Sequence, residues 1–89
     1  MIRRQVYYRG TVQGVGFRWA AVRTARQFRV SGFVRNLADG RVELVAEGDA
    51  DEVGAFCAAL QDRMSEYIRG SEVGEAQATG EFRGFDVAW

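Results

Sequence analysis

Hydrophobic and polar positions follow two different periods along this chain, and the switches between them mark its elements. Gln5-Val6-Tyr7-Tyr8-Arg9 is rich in β-branched and aromatic residues and predicts a first strand. From Phe17 the spacing becomes helical: Phe17, Ala21, Ala25 and Phe28 fall on one face, which predicts a helix over 17–28. Val30 to Leu37 predicts a second strand, Asp39-Gly40 a hairpin turn, and Arg41 to Glu47 a third strand with Val42, Leu44 and Ala46 on one face. Asp49, with Glu52 three residues on, predicts a helix start closed by a capping box, Asp standing in for the hydroxyl residue. Val53, Phe56, Cys57, Leu60 and Met64 then keep helical spacing. Residues 65–80 carry Gly70, Gly74 and Gly80 and predict a loop plus one irregular strand. Phe82 to Trp89 predicts a closing strand with Phe85, Val87 and Trp89 on one face.

The order β-α-β-β-α-β predicts an α+β fold of the ferredoxin-like kind, an antiparallel sheet with two helices on one face. The 89 residues suit a single domain, 1–89, with one modest core. No apolar run approaches the roughly 20 residues of a membrane span, and Met1-Ile2-Arg3-Arg4-Gln5 does not lead into a signal-peptide apolar region. A cytoplasmic monomer with no membrane partner is expected. Cys57 is the only cysteine and lies on the apolar stripe, so it reads as core and not as a nucleophile.

Composition narrows the chemistry. There is no histidine, which excludes Ser-His and Cys-His nucleophile pairs and His-ligated metal sites within the chain. There is no lysine, which excludes Walker-type phosphate binding and Schiff-base chemistry. All twelve basic side chains are arginines, and they are unevenly placed. Eight arginines and no acid precede Asp39; four arginines and all twelve acids follow from there. A basic first part would steer anions, unless the two parts interleave in the fold and their charges pair. Asp49 and Asp51 read as a helix start and not as a metal site.

Between the first strand and the first helix lies Gly10-Thr11-Val12-Gln13-Gly14-Val15-Gly16-Phe17-Arg18. Glycines let the backbone turn sharply and let a ligand come close to N–H groups. A helix N-terminus beginning there adds free donors and a partial positive charge. Arg18 adds a permanent charge with a planar fork of donors. Such a site calls for a phosphate or a carboxylate. Taken singly, each feature also has a structural reading: the loop as a turn, Arg18 as a solvated helix residue, Asn36 as a turn former.

Together these residues resemble the acylphosphatase family. Gly10 to Arg18 is similar to its signature G-x-V-Q-G-V-x-F-R, and Gly32-Phe33-Val34-Arg35-Asn36 with Asp39-Gly40 resembles its second signature. Glu47-Gly48 and Gly84-Phe85-Asp86-Val87 also match the family, and the resemblance spans the chain except roughly 63–81. It implies hydrolysis of the mixed anhydride of a carboxylic acid and phosphate, with a small acyl phosphate as partner and no cofactor or metal. It implies that Gln13, Gly14, Val15 and Gly16 cradle the phosphoryl oxygens through backbone N–H groups. Arg18 matches the family's phosphate-binding arginine, and Asn36 its water-holding asparagine. Two departures concern structure. Arg29 stands where the family commonly has Gly, so the first helix must end without a left-handed glycine cap. Arg63-Met64 stands where it usually has Gly-Pro, so the second helix is expected to run on toward Tyr67.

Two other readings stay open on sequence. One is a phosphate- or acyl-phosphate-binding module with little turnover, since such domains also occur in larger carbamoyl-transferring maturation enzymes. The other is a nucleic-acid binder, with Tyr7, Tyr8, Phe17, Trp19 and Phe33 as a base-stacking surface. The RNA-recognition aromatic motif is not present, and a core role for Phe17 and Phe33 fits the pattern better.

Overall fold

The computed structural model describes residues 1–89. Its elements are β1 (Ile2–Gly10), α1 (Phe17–Ala25), β2 (Ser31–Asn36), β3 (Val42–Gly48), α2 (Ala50–Arg63), β4 (Ile68–Gln77) and β5 (Phe85–Val87). The strands form one sheet in the order β4-β1-β3-β2-β5. β1 pairs antiparallel with β3 and β4, and β2 with β3; β5 runs parallel to β2. One face carries Val6, Tyr8, Val34, Val42, Leu44 and Ala46 into a shared core with Phe17, Ala21 and Ala25 of α1 and Val53, Phe56 and Leu60 of α2. This is the ferredoxin-like sandwich, with an added parallel edge strand. Cys57 packs against that core, and burial raises its thiol pKa, consistent with an inert side chain.

β3 is the central strand, and all seven of its residues are buried. Its odd-numbered side chains face away from the helices, and two of them are carboxylates. Burying a charge is costly unless it is paired and hydrogen-bonded, and both are. Glu43 accepts from Gln5 Nε2 at 2.7 Å, Tyr7 Oη at 3.2 Å and Arg35 Nε at 2.5 Å. Glu47 accepts from Thr79 N–H at 2.9 Å, the Thr79 hydroxyl at 2.8 Å and Gly80 N–H at 2.9 Å, with Arg3 at 3.5 Å. It thereby ties the segment after β4 onto the sheet. An anionic strand laid on this face would meet these two carboxylates, and Tyr8 and Phe17 are in the core. Phe33 is not core as expected. It lies on the outer face, half-buried, with its ring tilted against that of Phe82 at 5.8 Å.

Burial pushes the Glu47 carboxyl up, but its three donors from Thr79 and Gly80, with Arg3, outweigh this and hold its pKa below the ordinary value. A depressed acid contributes stability in full above its unfolded pKa of about 4.3. That contribution is lost as pH falls through the lower folded value. Glu47→Gln is therefore expected to cost about 2 kcal/mol at pH 7, on the order of 10 °C in Tm. The gap between parent and variant should close in melts below about pH 4.

The charge asymmetry of the sequence is partly neutralised by folding. Arg3, Arg4 and Arg35 reach Glu47 and Glu81, Glu75, and Glu43 respectively, across the two parts of the chain. Arg18 and Arg23 of α1, and Arg26 just after it, make no ion pair, so that helix keeps its positive charge.

Several expected boundaries shift. β4 is a ten-residue strand and not a loop with an irregular strand. As an edge strand it is held by backbone bonding to β1 along its length, from Ile2↔Gln77 to Gly10↔Ile68, with one irregularity at Arg9/Gly10. Most of its side chains are exposed, so no apolar period marks it. The terminal strand shrinks to Phe85–Val87. Phe85 and Val87 pack on the core, whereas Trp89 leaves their face at 89 % exposure.

α1 ends at Ala25, not Phe28. The N–H groups of Arg26, Gln27 and Phe28 bond three residues back, tightening the last turn. Arg29 needs no positive φ, and its N–H donates to Glu52 Oε1 at 2.7 Å. The Glu52 carboxylate is thus drawn across to the segment after α1, and the predicted capping box does not form: Asp49 makes no side-chain cap bond. α2 stops at Arg63 and does not run on to Tyr67. Met64 is buried, and its carbonyl accepts from both Tyr67 and Ile68, which turns the chain into β4.

Candidate active site

The loop from Gly10 to Gly16 leaves β1 and enters α1 directly. Phe17 anchors that entry: it is buried, with its ring 4.9 Å from Tyr8 of β1. Gly14 and Gly16 have φ of 77° and 79°, the left-handed region that side chains disfavour. A Cβ at either would meet nothing within 4 Å, so conformation, not crowding, demands glycine. Gly16 occupies the N-cap of α1, no side chain caps the helix, and its first turn has no acid.

The consequence is a run of free donors. Thr11 N–H donates to Tyr67 O, and Ala20 N–H donates to Gly16 O at 3.0 Å. Between them, no N–H of residues 12–19 donates to a backbone carbonyl. Ordinarily such groups find partners, and an anion is a fitting one at a helix start. A Gly16→Ala variant should cost about 1–2 kcal/mol of stability through the left-handed φ. A thermal melt of the variant beside the parent checks this.

Val12, Gly14, Gly16, Phe17, Arg18, Trp19 and Asn36 line a cavity of about 110 Å³. Arg18 and Asn36, far apart in sequence, thus share one small space. Arg18 makes no ion pair; its guanidinium carbon lies 4.8 Å from the centre of the Trp89 ring. Stacking through its face leaves the in-plane N–H fork available. Asn36 is the last residue of β2 and opens the turn to β3.

That turn is held from both sides. Leu37 N–H donates to Arg41 O at 2.8 Å, and Asp39 accepts from Arg41 N–H at 3.1 Å and Nε at 2.7 Å. These bonds hold the Asp39 carboxyl below its ordinary pKa, the Arg41 N–H first among them. From the loop, Gln13 Nε2 donates to Leu37 O at 2.8 Å and Arg41 O at 2.9 Å. The Gln13 side chain therefore faces the hairpin turn and pins it to the loop. Val15 packs against the core. Neither side chain lines the cavity, so any role for Gln13 and Val15 there falls to their backbone. Val12, Phe17, Trp19 and Trp89 are additional neighbours that sequence reasoning did not assign to the site.

Two hollows several times larger lie elsewhere. One, lined by Arg29, Asp49, Ala50, Asp51 and Glu52, presents three carboxylates, which would repel a phosphate. The other runs between Met1, Phe28, Val30, Ala78 and Phe82. No group of three His, Cys, Asp or Glu side chains capable of holding a metal occurs. No helix is long and apolar enough to cross a membrane.

The class these features define is a ferredoxin-like α+β sandwich whose first loop carries N–H groups without backbone partners beside an arginine without an ion pair. The acylphosphatase family profile matches residues 4–87. An acylphosphatase of Methylococcus capsulatus is 47 % identical over 88 residues, covering 98 % of this chain and 96 % of its own. The crystal structure of acylphosphatase from Bacillus subtilis superposes with a TM-score of 0.90 at 28 % identity, covering both chains completely. The crystal structure of Thermococcus kodakarensis HypF contains a similar unit, with a TM-score of 0.84 and 31 % identity, covering all of this chain but 12 % of that one. The chain belongs to the acylphosphatase family.

Proposed function

We propose that the cavity binds the phosphoryl group of an acyl phosphate and directs water onto phosphorus. The observation that carries this is the meeting of Gly14, Gly16, Arg18 and Asn36 in one cavity, beside a run of N–H groups without backbone partners. In phosphoryl transfer, charge spreads over three equatorial oxygens, and fixed donors around them stabilise the transition state. The backbone of Gln13 to Gly16 and the Arg18 fork supply such donors. The Asn36 carboxamide holds the attacking water in line.

Water oxygen forms the new bond to phosphorus as the bond from phosphorus to the acyl oxygen breaks. The electron pair leaves with the carboxylate, and the water proton passes to a phosphate oxygen. A carboxylate is a good leaving group, its acid having a pKa of about 4. It needs no general acid, and a site without histidine or lysine suffices. A phosphomonoester leaves as an alkoxide and would not be served. No carboxylate, imidazole or thiol lines the cavity.

A phosphate-release assay tests this. Acetyl or benzoyl phosphate should be hydrolysed at an unchanged rate with chelator, and a phosphomonoester should be left intact. Release from the monoester alone, or loss of activity with chelator, would contradict the reading. The similarity to a unit of HypF keeps the binding-module alternative specific: it requires phosphate binding without turnover of either acyl phosphate.

A further inference from the structure

The chain has two tryptophans, and both flank Arg18. Trp19 follows it on α1, lines the same cavity and is 54 % exposed. Trp89 stacks on the guanidinium and is 89 % exposed. Only two other large apolar side chains are comparably exposed, Met1 and Val73. Half of the exposed large apolar groups thus gather at one arginine. Core packing does not require it, since the preceding Phe85 and Val87 make the core contacts of that segment and Trp89 makes none.

The size of the cavity gives these rings a use. At about 110 Å³ it is well below the roughly 300–1,000 Å³ of pockets that enclose drug-sized ligands. It takes a phosphoryl group and leaves the acyl group outside, beside the indoles. Trp89 lies against the face of Arg18, so it does not compete with phosphate for the N–H fork. Indole surface beside a polar anchor offers area and ring stacking to a flat apolar group at little entropic cost.

We propose that Trp89 and Trp19 form an acyl-side subsite that selects acyl phosphates with an apolar, planar acyl group over those with a short aliphatic one. This rests on the reading that the cavity holds the phosphoryl group. The test compares kcat/KM for benzoyl and acetyl phosphate in the parent, Trp89→Ala, Trp89→Phe and Trp19→Ala, with melts to confirm folding. In Trp89→Ala the benzoyl-to-acetyl ratio should fall about tenfold, mainly through the KM for benzoyl phosphate. Trp89→Phe should restore most of it, and Trp19→Ala should lower the ratio less. An unchanged ratio, or equal losses on both substrates, would overturn the subsite. A second arm needs no turnover. With inorganic phosphate present, benzoate should perturb the intrinsic tryptophan fluorescence at concentrations where acetate does not; equal responses would contradict the proposal. If the parent hydrolyses neither substrate, the reading of the cavity fails, while the fluorescence arm still decides the subsite.

Discussion

Replacing Arg18 with alanine is expected to lower kcat/KM for an acyl phosphate about a thousandfold or more. The magnitude follows from what the side chain has to do. It is the one cationic side chain lining the cavity, and no ion pair within the protein competes for it. Charge on the equatorial oxygens changes little in sign but much in distribution during transfer, so a fixed fork contributes most at the transition state. Both KM and kcat should suffer, and inhibition by inorganic phosphate should weaken in parallel. Lysine should recover little, because an ammonium lacks the planar fork and the stacking surface that Trp89 meets. The fold should persist: Arg18 is no part of the buried core, and a melt of the variant should stay near that of the parent.

Asn36→Ala is expected to lower kcat on the order of a hundredfold while KM and phosphate inhibition change little. The carboxamide has no role in anchoring the turn. That task falls to the backbone bonds of Leu37 and Arg41 and to the side chains of Gln13 and Asp39. Its loss should remove water placement alone, a contribution made at the transition state and not in substrate binding. Asn36→Asp is the sharper control. It keeps the shape but sets a negative charge beside a dianionic phosphoryl group, so both KM and kcat should worsen relative to Asn36→Ala. A steady-state comparison of the three proteins reads the difference.

The parts of this chain legible in its sequence are those where geometry dictates residue type. Gly14 and Gly16 adopt a φ that glycine alone adopts freely, so the loop announces itself. The core stripe of α2, Val53, Phe56 and Leu60, is likewise written in its period and is fully buried. β4 escaped because an edge strand held by backbone bonding needs no apolar alternation. The capping box failed for a tertiary reason: Glu52 has a partner in the segment after α1, the Arg29 N–H. Gln13 illustrates the same limit within the site. The loop motif speaks to its backbone N–H and is silent on its carboxamide, which serves two carbonyls of the facing turn. Trp89, read as the end of a strand face, instead covers Arg18 of α1, a contact between residues far apart in sequence that no local pattern encodes. Each miss is a choice of partner made in three dimensions.

Hydrolysis of benzoyl phosphate in ¹⁸O-enriched water tests the proposed chemistry most directly. If the loop and Arg18 hold the phosphoryl group and Asn36 directs water onto phosphorus, one ¹⁸O atom per turnover should appear in inorganic phosphate and none in benzoate. Enzyme-dependent label in benzoate would mean attack at the acyl carbon, and would contradict the roles assigned to all three.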